Sequence, residues 1–208
     1  MFSDSVLPAS ADLPNDAASV EAELSDWDGS IERIASDLYR ISSMLLGEGE
    51  DAIRQIEEVV GSLDVSACEE PEEARHLSRL ALASQALAVL GARYPESLAA
   101  PAQETGVISC IEDDDLSAAG LTTAELERMM SGPDDHRLRD WLESLPVSLR
   151  AVFVLRAVAG LSLPELAGLL AESGGSNAQD WNPEGVRSTF RQALCSLASQ
   201  LLHATAAK

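Results

Sequence analysis

The sequence predicts an all-α protein with two small helical domains joined by a linker. Hydrophobic residues make up 46% of the 208 residues, enough for a real core, and aromatic residues only 4%. The usage of Ala, Leu, Glu and Arg favours helices over strands. Apolar residues recur at spacings of three and four along much of the chain, as they do on one face of a helix.

The composition also narrows the classes of function. No stretch approaches the roughly 20 apolar residues that span a bilayer, and residues 1–16 lack the basic start and apolar run of a signal peptide. We therefore expect a cytoplasmic protein without membrane insertion. Cys68, Cys110 and Cys195 lack metal-ligand spacing, so we expect reduced thiols and no metal. No catalytic or phosphate-binding motif is present, so we expect neither an enzyme nor a cofactor.

The charge is distributed unevenly along the chain. The net charge of -21 alone counts against nucleic-acid binding, because Lys and Arg make the contacts to phosphates. Residues 137–208 nevertheless hold seven basic and six acidic residues, a net charge of +1. Residues 1–136 hold 7 basic and 29 acidic residues, a net charge of -22. This asymmetry predicts two modules with different partners.

The first part of the chain is predicted to hold a three-helix bundle behind an acidic segment. Residues 1–28 combine prolines, serines and acids with little apolar periodicity, so we expect them to be mobile. Residues 29–94 carry three amphipathic stretches. The first ends at Gly47, the second starts at Asp51 and the third starts near Pro71. Short loops between such helices make a compact bundle.

Residues 95–136 have the composition of an acidic linker, with prolines and the acidic run 112–115. Consecutive acids lack the alternating spacing of a calcium loop, so we expect a solvated run and no metal site. One short helix is expected inside the linker. It would start at Thr122 or Thr123, because Glu125 follows at the spacing of a helix cap.

Residues 137–205 have the pattern of a four-helix domain. Pro146 and Gly160 are predicted to end helices. Three residues are predicted to begin helices: Ser148, Ser162, which forms a capping box with Glu165, and Pro183. One residue set is predicted to be buried together: Val152, Phe153, Leu166, Val186 and Phe190. Four helices with the last two joined across a turn match a helix-turn-helix domain, in which the last helix enters the major groove.

The same domain resembles region 4 of the extracytoplasmic-function sigma factors of bacteria. The residues that carry the resemblance are Leu145-Pro146, Arg150-Ala151-Val152-Phe153-Val154-Leu155-Arg156, Gly160-Leu161-Ser162 and Pro164-Glu165-Leu166-Ala167. The resemblance implies a domain that binds the upstream element of a promoter and the flap of RNA polymerase. It also implies that residues 184–193 form the helix that reads DNA.

A weaker similarity links the first bundle to region 2 of that family. It rests on Leu38-Tyr39-Arg40, Leu45-Leu46-Gly47, Asp51-Ala52 and Ile56-Glu57-Glu58-Val59. In the family this region helps to clamp the polymerase. This chain departs from the family where a basic and aromatic segment usually melts the promoter, because residues 69–73 are acidic and residues 80–90 are nearly uncharged.

Two sets of candidate binding residues follow. The DNA-binding candidates are Gly185, Arg187, Ser188, Arg191 and Gln192, whose side chains suit phosphates and base edges. The alternative for this set is the solvated face of an ordinary amphipathic helix. The candidates for binding polymerase are Asp51, Glu57 and Glu58, which could equally be exposed helix charges.

The resemblance and the charges together give two hypotheses. The first is a sigma-like transcription initiation factor, without catalytic activity, that binds the RNA polymerase core and promoter DNA. The second is an acidic mimic of a sigma factor that binds an anti-sigma factor or another regulatory protein without productive DNA binding.

Overall fold

A computed structural model describes residues 17–62, 71–101, 110–132, 135–173 and 180–206. These residues form helices and turns without a β-strand, which confirms the all-α prediction for them. Every helix among them is too short or too polar to cross a membrane. In chain order the helices are α1 (Ala17–Leu46), α2 (Glu50–Ser62), α3 (Pro71–Arg93), α4 (Pro95–Leu98), α5 (Thr123–Ser131), α6 (Asp135–Ser144), α7 (Val147–Phe153), α8 (Leu163–Ser173) and α9 (Pro183–Ala206).

Helices α1, α2 and α3 pack against one another and form a three-helix bundle, as the sequence predicted for this part of the chain. Their apolar faces meet in a set of buried side chains that includes Leu38, Leu45, Val59, Leu82 and Leu87. Gly47, with φ of 90°, follows α1 at the predicted position. Helix α1 begins at Ala17, inside the segment 1–28 that the sequence assigned to a mobile lead-in, while residues 1–16 lie outside the described part.

The described portions of residues 95–136 contribute to the core, which their linker composition did not predict. Helix α4, a 3-10 turn at Leu116–Ala119 and α5 lie in this part of the chain. Thr122 caps α5, and Glu125 completes the predicted capping box. The buried side chains of this part are Leu98, Ile111, Ala119, Leu121 and Leu126.

Buried residues from both predicted domains form one continuous cluster that runs from Leu38 to Leu197. Polar contacts also join the two parts. Arg79 donates to Asp37 Oδ2 at 3.0 Å and to the carbonyl of Ala159 at 3.4 Å. The bundle therefore packs directly on the C-terminal helices, and the division of the chain into two domains stays a prediction.

The second helix of the C-terminal part starts differently from the prediction. Pro146 takes the N-cap position with φ of -50° and ψ of 144°, and α7 starts at Val147. Ser148 is therefore not the cap, since it lies in the first turn and is buried. The reason is that Pro146 already has the non-helical geometry of a cap residue, so the helix can begin directly after it. A π-turn at Val154–Val158 continues α7.

The predicted buried set is confirmed. Val152, Phe153, Leu166, Val186 and Phe190 are each at most 2% exposed and belong to the same cluster. They come from α7, α8 and α9, and α9 packs on both α7 and α8. Gly160, with φ of 72°, lies between the π-turn and α8, where the sequence predicted the end of a helix.

Candidate nucleic-acid interface

Helix α8 is held at its start by the predicted capping box. Glu165 Oε2 accepts from the backbone N–H of Ser162 at 2.8 Å, and the Glu165 N–H donates to Ser162 Oγ at 3.4 Å. The hydrogen bonds from Ser162 lower the pKa of Glu165, and His76, whose Nε2 lies 2.9 Å from Glu165 Oε1, lowers it further. The first turn of α8 is thus fixed to α3 as well as capped.

Helix α9 begins at Pro183, as the sequence predicted. The cap, which the sequence reading missed, is Asn182, whose Oδ1 accepts from the N–H groups of Glu184 at 3.0 Å and Gly185 at 2.9 Å. An Asn-Pro pair favours the start of a turn, and that local signal could have identified the cap. Both helices of the predicted helix-turn-helix therefore have satisfied N-termini.

Aromatic packing fixes the inner face of α9. The ring of Phe153 contacts Trp141 edge-on, with centroids 4.9 Å apart, and lies 6.1 Å from the ring of Phe190. Trp141 Nε1 also donates to Ser196 Oγ at 3.0 Å. Phe190 is buried against α7, whereas Arg187 and the other candidates lie at positions of α9 outside this aromatic contact.

The predicted DNA-binding residues lie on α9 and none of them is fully buried. Arg187, Ser188, Arg191 and Gln192 are half-buried side chains at helical positions that share one side. Gly185 has a different environment, since a Cβ at this position would lie 2.7 Å from Cγ of Pro101. Its small size allows residues before the helix-turn-helix to pack against the start of α9.

Arg187 is paired with two carboxylates. Its Nε donates to Asp114 Oδ2 at 3.1 Å, and its Nη1 contacts Glu184 one turn earlier on α9. The hydrogen bond that Arg187 donates to Asp114 and the nearby Glu184 raise the pKa of Arg187 above its ordinary value. The guanidinium that the sequence assigned to a phosphate contact is thus already neutralised within the chain.

Asp114 belongs to residues 110–116, which we call the acidic segment. Its next residue, Asp115, accepts from the N–H of Ser117 at 2.8 Å and caps the 3-10 turn, and this hydrogen bond lowers the pKa of Asp115. Within the described part of the chain, acids, histidines and cysteines form no group that could hold a metal ion. The acidic run therefore has structural roles that its composition did not predict.

The acidic segment is also joined covalently to α9. Cys110 and Cys195 form a disulfide across 85 residues, with Cα atoms 5.8 Å apart. The expectation of reduced thiols is wrong for this pair, while Cys68 lies outside the described residues. No local spacing could have revealed the bond, because the fold alone brings the two cysteines together.

The predicted polymerase-binding residues lie on α2. Asp51 accepts from Arg93 Nη2 at 2.7 Å, and Arg93 is the main cause of its lowered pKa. Glu57 and Glu58 are exposed. Of the three candidates, Asp51 thus joins α2 to α3, whereas Glu57 and Glu58 present their charges to solvent.

Comparison with known proteins adds no relative to this picture. No family model, no curated protein and no solved structure matches the chain. The central feature of the chain is a pair of capped helices, α8 and α9, and α9 carries Arg187 and Arg191 as half-buried side chains.

Proposed function

We propose that this chain is a sigma-like transcription initiation factor, without catalytic activity of its own, that binds the RNA polymerase core and promoter DNA. One observation supports it most strongly: α8 and α9 are each capped at the start, pack on one aromatic and aliphatic core, and leave a polar side of α9 outside that core. A helix-turn-helix domain needs this separation of a buried face from a DNA-facing one.

The chemistry of the outer side suits a duplex. Arg187 and Arg191 lie one turn apart and can contact phosphates or the O6 and N7 atoms of guanine. Ser188 and Gln192 beside them can donate to and accept from base edges. Two arginines neutralise few phosphates, so the affinity of this domain for DNA alone is low and the polymerase supplies the rest.

Helix α2 offers a surface for the polymerase. Ile53 is 49% exposed and Val60 is 55% exposed, and the exposed Glu57 and Glu58 lie between them in the sequence. An apolar pair beside acidic charges fits a partner with an apolar groove and basic side chains. This is the part of the chain similar to the polymerase-clamping region of the sigma factors.

A second candidate function is favoured by the pairing of Arg187. Because Asp114 and Glu184 neutralise this guanidinium, the outer side of α9 has less positive charge than the sequence suggests. With the net charge of -21, this fits an acidic mimic that binds an anti-sigma factor or another regulator and not DNA.

A pull-down with the full chain separates the two functions. Polymerase subunits in the eluate, together with transcription from a promoter when the chain is added to purified core enzyme, support the sigma-like function. A small regulatory protein alone, with neither core binding nor transcription, overturns it in favour of the mimic.

DNA contact by α9 is tested by the double substitution Arg187→Ala and Arg191→Ala. We expect promoter binding by the polymerase complex to be lost while helicity is kept, because Ala is a good helix former and neither side chain is fully buried. The matched control removes two other exposed arginines, Arg128→Ala on α5 and Arg137→Ala on α6. Equal binding by the two double variants would refute DNA contact through α9.

A further inference from the structure

Three contacts attach earlier residues to about the first half of α9. Pro101 lies against Gly185, Asp114 pairs with Arg187, and Cys110 is bonded to Cys195. These contacts span about three turns of the helix that the proposed function directs at DNA. The acidic segment therefore lies on the surface that a duplex would need.

We propose that the acidic segment is an intramolecular cover of α9, fastened by the Cys110–Cys195 disulfide and released when a dithiol reduces that bond. The release frees Arg187 from Asp114. That the freed surface then binds DNA rests on the proposed function, whereas the covering and its release concern this chain alone.

The electrostatics of the cover oppose a phosphate directly. The Oδ2 atom of Asp114, 3.1 Å from Arg187 Nε, takes the position that a phosphate oxygen would take. The acidic run 112–115 adds three further carboxylates beside it. Negative charges repel DNA phosphates within a Debye length of about 8 Å at physiological salt. While the acidic segment is in place, Asp114 and Glu184 compensate the positive charge of Arg187, and its surroundings are negative.

The disulfide is the fastening that a reductant can remove. The Asp114 and Arg187 side chains are 34% and 39% exposed, and an ion pair this exposed to solvent stabilises little by itself. Ile111, next to Cys110, is buried and keeps the segment near α9 after the bond is cut. Reduction thus permits opening, and reoxidation can restore the closed form.

The redox step is an ordinary thiol-disulfide exchange. A thiolate of the reducing dithiol attacks one sulfur, the Cys110–Cys195 bond breaks, and a mixed disulfide forms. The second thiol of the reductant then displaces the protein thiolate. Two electrons pass to the protein, Cys110 and Cys195 become thiols after taking up two protons, and the dithiol becomes a disulfide. Cys110 is exposed, so the reductant can reach the bond.

The proposed function implies a redox environment for this disulfide. A transcription factor acts where the DNA is, in a compartment whose thiols are usually kept reduced, and disulfides there are commonly transient or redox-sensing. A bond that holds a carboxylate against a DNA-facing arginine fits that role better than a permanent structural crosslink.

The test compares the full chain in its oxidised form, after reduction with dithiothreitol, and as the Cys110→Ser variant. Hydrogen exchange of residues 110–117 reports the cover, and binding to duplex DNA over a series of salt concentrations reports Arg187. We expect faster exchange in the reduced chain and in the variant. The slope of log affinity against log salt should steepen from about -1 to about -2, since each neutralised phosphate contributes roughly 0.9.

Further variants make the test specific. Asp114→Asn in the oxidised chain should steepen the salt slope without any reductant. Asp113→Asn, the same change of charge at the exposed neighbouring residue, should not. Cys68→Ser should leave the response to the reductant unchanged.

The outcomes for the cover and for the proposed function are separable. If hydrogen exchange of residues 110–117 is unchanged after reduction, the cover is overturned, whether or not the chain binds DNA. Faster exchange without DNA binding in any form supports the cover and overturns DNA binding through α9. Faster exchange with an unchanged salt slope shows that the acidic segment does not shield Arg187 and overturns its role as a cover of the DNA-facing surface.

Discussion

The close approach of α3 to α8 gives a prediction with a defined sign. A Cβ atom at Gly91 would lie 2.4 Å from the carbonyl oxygen of Ser173, whereas a Cβ at Gly61 on α2 would meet nothing within 4 Å. Replacing a helical glycine with alanine ordinarily stabilises by about 1 kcal/mol. Gly61→Ala, one residue before the end of α2, should show part of that gain. Gly91→Ala has a similar gain in helix propensity, but its new Cβ atom also overlaps the backbone of Ser173.

The cost of the overlap cancels or outweighs the gain in helix propensity. Overpacking of a close contact costs about 1 to 3 kcal/mol, so the unfolding free energy of Gly91→Ala should lie below that of Gly61→Ala by about this amount. Because the gain in helix propensity is common to both variants, their difference isolates the overlap.

Urea unfolding followed by circular dichroism at 222 nm measures both variants. Gly91→Ala, unlike Gly61→Ala, should also perturb the amide signals of α8. If Gly91→Ala is stabilised as much as Gly61→Ala, then α3 does not approach α8 in solution. The conclusion that the two predicted domains share one core would then be refuted.

Three further predictions concern single side chains. Phe153→Ala should lower the unfolding free energy by about 3 to 5 kcal/mol, because Phe153 is fully buried between two aromatic rings; Leu202→Ala, at a residue 70% exposed, is the control, and equal losses would contradict the buried site. Gln55→Leu should raise stability by about 1 to 3 kcal/mol, since the amide of Gln55 is buried and finds no hydrogen-bond partner among the described residues; a loss in denaturant unfolding would show that the amide is satisfied. The pKa of Glu165 lies below its ordinary 4.5, so its carboxylate stabilises the fold above that pH and the contribution is lost as pH falls through the lowered value. Unfolding curves from pH 7 to pH 3 should therefore show the advantage of the wild type over Glu165→Gln shrinking at acidic pH, and a constant difference would exclude this linkage.

Much of the local structure could be predicted from the sequence. The buried set around Phe153, the capping boxes at Thr122 and Ser162, and the start of α9 at Pro183 all follow from signals within a few residues. Such signals work because capping and helical periodicity involve groups three or four positions apart. One local error, the cap at Ser148, arose because Pro146 satisfies the same geometry two residues earlier.

The candidate site could be predicted only in part. Sequence reasoning placed Arg187, Ser188, Arg191 and Gln192 on one side of a helix, and the structure has them there. It did not predict that Asp114 neutralises Arg187 or that Pro101 packs on Gly185. Both partners come from residues whose composition is that of a linker, and composition says nothing about what a segment packs against.

The sequence by itself therefore determined most of the helical segments and their apolar faces, because the physical causes act within a turn or two of the chain. Only the tertiary structure decided which charges are paired and which cysteines are bonded. The Arg187–Asp114 pair joins residues 73 positions apart, and the Cys110–Cys195 bond spans 85 positions. Such contacts depend on how α9 packs against the acidic segment, and no local pattern encodes that packing.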